Sequence, residues 1–167
     1  GRAAAEPAQG HGFYWCYVPL RFDDFGLVFI AQEDADGHRT LNDALRVWPD
    51  GRVETLGYPR YDITYRSGSR IPVAATITAQ EPDGSPLVIE IEPQSHVALS
   101  AGCGYGPDPQ WTHGVWRGRG WTEGTVYDLD DPANLIATQY SMLDHLGRAT
   151  VNGQVGHGLF EHVCAGR

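Results

Sequence analysis

The sequence predicts an all-β fold, an antiparallel barrel or strongly curved β-sandwich of about ten short strands with little helix. Turn punctuation is the first reason. Asp34-Ala35-Asp36-Gly37, Pro49-Asp50-Gly51, Pro82-Asp83-Gly84 and Val151-Asn152-Gly153 are hairpin-type signals spread along the chain. Period-two alternation between them is the second. Tyr61, Ile63 and Tyr65 share one side of their segment, and Leu87, Ile89 and Ile91 face away from Glu90 and Glu92. Third, a helical pattern is nearly absent. Residues 132–146 offer a turn or two after Asp130-Asp131, where an acidic cap precedes Pro132.

In chain order, strands are expected at 13–18, 27–33, 41–48, 52–56, 61–66, 73–80, 87–92, 96–101, 115–129 and 158–164. The first would place Phe13, Trp15 and Tyr17 together on a core-facing side. The next is a short apolar run ended by the Asp34 turn. The third stops at the Pro49-Asp50-Gly51 turn signal. The fourth and fifth flank Gly57 to Arg60, and the β-branched segment around Ile77 precedes the Pro82 turn. Residues 1–10 read as a flexible lead-in, and 11–167 as a single β-domain. That domain also fits the C-terminal half of a longer protein.

The 167 residues suffice for one real core. Net charge is −9, from 12 basic and 21 acidic residues, which argues against nucleic acid and anionic membrane surfaces as partners. Every basic side chain is an arginine, so lysine Schiff-base chemistry is excluded. No apolar run approaches the roughly 18 residues of a membrane-spanning helix, so membrane insertion is not expected. Cys16, Cys103 and Cys164 are widely spaced, without a CxxC pair, which fits buried thiols in a reducing cytoplasm. GxSxG, GxGxxG and P-loop patterns are missing. No metal site and no cofactor are expected.

The run 102–124 concentrates the chemistry. It holds Trp111, Trp116 and Trp121, three of the five tryptophans, with Tyr105, His113, Arg117, Arg119 and many glycines. Glycine weakens a strand and persists where a bulge forms or a ligand comes close. If 111–123 is a strictly alternating strand, Trp111, His113, Val115, Arg117, Arg119, Trp121 and Glu123 share one face. The other face is bare except for Trp116, between Gly114, Gly118 and Gly120. An exposed arginine ladder stacked on rings is the plainer reading of the charged face. A second cluster, Gly156 to His162, puts His157 and Glu161 on one side and Phe160 and His162 on the other. Imidazole and a buried carboxyl suit general acid–base work. One strand face supplies only His157 and Glu161, so a metal would need partners such as His113, His145 or Asp144.

Several of these residues resemble a known group. Trp15 with Tyr17-Val18-Pro19, residues 25–33, Trp48-Pro49-Asp50-Gly51, Gly104-Tyr105-Gly106, Trp111 to Gly118 and Gly158 to His162 carry the likeness. Together they resemble the C-terminal half of an uncharacterised bacterial family related to the lipocalin-like superfamily of carotenoid 1,2-hydratases (hydroxyneurosporene synthases). The resemblance implies a lipocalin-like barrel holding an apolar ligand. It also implies an upstream half with an Arg-Asp-x-Ser-Trp-Gly-type segment, which has no counterpart here. The expected partners are therefore an apolar small molecule of isoprenoid, steroid or fatty-acyl type, and an N-terminal companion half or a second copy of the chain. Chemistry on such a ligand would be cofactor-independent hydration, dehydration or isomerisation. His113, Glu161 and His162 are the candidate acid–base residues. Trp15, Tyr17, Tyr105, Trp111, Trp116 and Trp121 are the candidate walls. A carrier without chemistry, and a structural half-domain that packs on a missing partner, are the rival expectations.

Overall fold

The computed structural model describes residues 14–34, 36–69, 71–99, 115–124, 126–128, 130–134 and 143–164. Among the described residues, nine strands build one antiparallel sheet that curls into a nearly closed barrel. They are β1 (Tyr14–Arg21), β2 (Gly26–Glu33), β3 (Arg39–Val47), β4 (Val53–Thr55), β5 (Gly57–Tyr65), β6 (Pro72–Gln80), β7 (Pro86–Ala98), β8 (Leu143–Val151) and β9 (Gln154–Cys164). Their order across the sheet is β4-β3-β2-β1-β9-β8-β7-β6-β5.

Closure happens at one residue. Leu56 alone separates β4, which pairs back onto β3, from β5, which pairs onto β6. The Leu56 N–H donates to the Ala44 carbonyl at 2.9 Å. Further along the seam, the Asn42 amide donates to the Pro59 carbonyl at 3.1 Å. The tight turns follow the expected punctuation. Asp34, Asp50 and Asp83 each accept the backbone N–H two residues on, fixing the turn before the chain reverses.

The core lies inside the barrel. Val18, Leu20, Leu27, Phe29, Ile77, Leu87, Ile89, Val151 and Phe160 are all buried there. Full burial of one such large apolar side chain is worth about 1.5–3 kcal/mol. One end, called lower here, is plugged by Arg46. Its guanidinium grips Glu81 at 2.9 and 2.5 Å and Glu54 at 3.2 Å, beneath the Phe25 and Trp48 rings. Phe22 stacks on Phe25 at 4.8 Å beside it.

Four sequence expectations change. The inward face of β1 is Tyr14, Cys16, Val18 and Leu20, so Trp15 and Tyr17 point outward and are half-buried. Residues 87–92 and 96–98 of two expected strands belong to the single strand β7, whose register shifts between Pro93 and Ser95. The expected helix is confined, among the described residues, to 132–134, and Leu143–Val151 is strand β8. The expected strand 115–129 does not form among its described residues. Gly118 and Gly120 there have φ of 121° and 70°, and the Trp121 N–H reaches back to the Gly118 carbonyl at 3.4 Å, making a turn. No helix among the described residues is long and apolar enough to cross a membrane.

Candidate functional site

The upper end of the barrel has a different lining. β1, β3, β6 and β8 begin there, and β2, β5, β7 and β9 finish there. Alternation continues along each strand, so the inward rows that carry Val18 and Val151 lower down on β1 and β8 carry Tyr14, Cys16 and His145 at this end, joined by Tyr61 and Tyr65 of β5 and Phe160 and His162 of β9. A dry aliphatic core thus gives way to tyrosine and histidine.

His162 is the centre of this group. It is buried, at 4 % exposure, and its Nε2 lies 3.0 Å from the Tyr65 hydroxyl. The Tyr14 ring meets it edge-on at 5.4 Å, and Phe160 stacks on it at 6.2 Å. Arg39 forms the rim. Its guanidinium lies 5.3 Å from the Tyr14 ring centre and 5.6 Å from that of Tyr61, and it is tied to Glu33 at 2.6 Å. The register shift between Gln32 and Glu33 lets Arg39 face Glu33 across β2 and β3. Along β8, His145 is the second buried imidazole, 6.0 Å from Phe160 and 5.4 Å from the exposed His96.

Burial sets the protonation states. It pushes the Cys16 thiol up to about 12, so that thiol is no nucleophile at neutral pH. Burial likewise raises Tyr14 and Tyr61, with the nearby Cys16 adding to both, so these phenols stay protonated. His145 is pushed down, first by burial and then by His96. The backbones of Phe160 and Leu143 pull the other way without completing a hydrogen bond to either ring nitrogen. Its imidazole is therefore neutral near pH 7.

Glu161 and His162, adjacent in sequence, stand on opposite faces of β9. The carboxylate is on the outer face, opposite Asp144 on β8 and beside Tyr17 and Trp15 on β1. Desolvation raises Glu161, Asp144 adds to the rise, and the Trp15 indole offsets part of it. The two expected acid–base partners on β9 therefore do not meet. Trp116 is 79 % exposed and Trp121 43 % exposed, in the turn segment. Tyr105, Trp111, His113 and Cys103 lie outside the described residues. They belong to the connection 99–142, which leaves β7 and returns to β8 at the upper end.

The sequence does not mark Tyr14, Arg39, Tyr61 or Tyr65 as site residues, and it marks His145 only as a conceivable metal partner. The Tyr61-Ile63-Tyr65 alternation carried a signal for two of them. The described residues also hold an exposed Asp34-Asp36-His38 cluster on the β2–β3 turn. Its Asp34 oxygen already accepts the Asp36 and His38 N–H groups as turn bonds.

No curated protein and no solved structure matches this sequence. The family model of DUF8625, a family of unknown function, matches residues 1–167, and the chain belongs to that family.

Proposed function

We propose that the barrel binds an apolar small molecule of isoprenoid, steroid or fatty-acyl type at its upper end, with the Tyr65–His162 pair as the polar contact. The support is one arrangement: a 3.0 Å hydrogen bond between a phenol and a buried imidazole, set inside a wall of Tyr14 and Phe160. Rings supply apolar area and a π-face, and the pair supplies a proton that can be given or taken. In hydration of a double bond, the pair would deliver its proton to one carbon. Water would add to the other, and the proton released by that water would restore the pair. The aromatic wall would stabilise the cation that develops between the two events. No cofactor is needed for that sequence. The free, buried Cys16 is consistent with a reducing compartment, and we place the protein in the cytoplasm.

A carrier without chemistry is the second reading. It is favoured by the position of Glu161, which faces outward and leaves His162 without that carboxylate. Titration with an environment-sensitive apolar dye, followed by displacement with candidate lipids, tests the shared claim. Wild type should bind, and His162→Ala should weaken binding about tenfold through the lost ring and polar contact. If Tyr65→Phe binds lipids as wild type does but loses turnover of an unsaturated one, the catalytic reading holds. Failure of the wild-type protein to bind any apolar probe would contradict both.

A further inference from the structure

The polar groups inside the upper barrel do not balance. His145 is 3 % exposed, and among the described residues neither ring nitrogen has a hydrogen-bond partner. It shares the inward face with Phe160 on β9 and with His96 on β7, its register partner, whose exposed ring lies 5.4 Å away at a 48° tilt. The Tyr61 hydroxyl, also inward, is likewise buried without a partner among the described residues. A dry interior tolerates such groups poorly, because each lost hydrogen bond to water is unreplaced. Other polar groups at the two ends are paired: Arg46 with Glu81 and Glu54, and Arg39 with Glu33 and the Asn42 amide oxygen. Two unpaired groups at the end that carries the proposed site are therefore informative.

We propose that His145 receives the polar group of the bound molecule, and that this group is an uncharged hydroxyl rather than a carboxylate. The inference rests on the binding reading above and narrows it to an isoprenoid or steroid alcohol. A neutral imidazole offers one N–H and one lone pair. A hydroxyl can accept from the N–H or donate to the bare nitrogen, whichever it faces, whereas a carboxylate only accepts. A carboxylate would also bring a charge into a site whose cation, Arg39, is held by Glu33 at 2.6 Å. The exposed His96 beside the buried His145 marks where the hydroxyl-bearing end would enter.

Dye displacement by farnesol, farnesoate and farnesyl methyl ether tests this at mildly alkaline pH. Wild type should prefer farnesol to either analogue by about tenfold, the worth of a buried hydrogen bond. His145→Phe should bind all three alike, and His145→Gln, which keeps a donor and an acceptor, should restore part of the preference. The imidazole nitrogen shifts of wild-type His145 give a readout free of any folding defect. They should move with farnesol and stay unmoved with the ether. A preference for farnesoate, or a farnesol preference that survives in His145→Phe, overturns the proposal while leaving apolar binding intact. So does stoichiometric zinc binding that His145→Phe abolishes, since the histidine pair would then be a metal site. If none of the three displaces the dye from wild type, the binding reading itself fails.

Discussion

Loss of water moves His145 and Glu161 in opposite directions, with opposite consequences for stability. His145 has a folded pKa below its ordinary 6.5. Its contribution is present above pH 6.5 and is lost as pH falls through the folded value. Glu161 has a folded pKa above its ordinary 4.5. Its contribution is complete below that value and is lost as pH rises through the folded one, because the ionised form is the disfavoured one. Glu161→Gln should therefore stabilise the protein at neutral pH and leave it unchanged below the carboxylate range. The side chain is partly solvated, so screening holds the gain to about 0.5 kcal/mol. Thermal melts at both pH values check the sign, and a gain that does not depend on pH would contradict it. The neighbouring Trp15 indole can serve a glutamine oxygen equally well, so the substitution isolates the charge.

β9 shows how a strand can be placed by what it lacks. A Cβ on Gly158 would lie 1.9 Å from the Pro19 carbonyl oxygen, and one on Gly156 would lie 2.6 Å from both the Arg21 carbonyl and the Phe22 ring. Only glycine lets β1 and β9 approach that closely. Gly158→Ala should cost about 2–3 kcal/mol through forced backbone shifts, measured by urea denaturation against wild type. A cost near zero would mean that the β1–β9 ladder has slack there. The strand pattern as a whole was legible in the sequence, because turns such as Pro49-Asp50-Gly51 and alternations such as Leu87-Ile89-Ile91 follow from local chemistry. β8 was not. Its inward residues are Leu143, His145, Gly147, Ala149 and Val151, and a histidine and a glycine among five positions erase the period. The phase of β1 was misjudged for a related reason. Trp15 and Tyr17 outweigh Cys16 and Val18 in size, yet the smaller residues fill the interior. Of the candidate site, His162 was legible from the alternation of β9. Its partner Tyr65 lies 97 positions away and is joined to it by barrel closure alone.

The whole molecule is a barrel with unlike ends. Arg46, Glu81, Glu54, Phe25 and Trp48 seal the lower one with ion pairs and stacked rings. The upper one gathers Tyr14, Tyr65, His145 and His162, and the connection 99–142, with its glycines and tryptophans, starts and finishes there. On the proposed reading, ligand is taken up at the upper end, opposite the end that the Arg46 ion pairs close. Amide chemical-shift mapping during titration with an isoprenoid alcohol tests that most directly. Saturable shifts should concentrate on β1 at Tyr14 and Cys16, on β5 at Ile63 to Tyr65, and on β8 and β9 at Asp144 to Leu146 and Phe160 to Val163. The lower turns at 48–52 and 81–85 should stay still. Shifts centred on those lower turns, or none anywhere at saturating alcohol, would contradict a binding site at the histidine end.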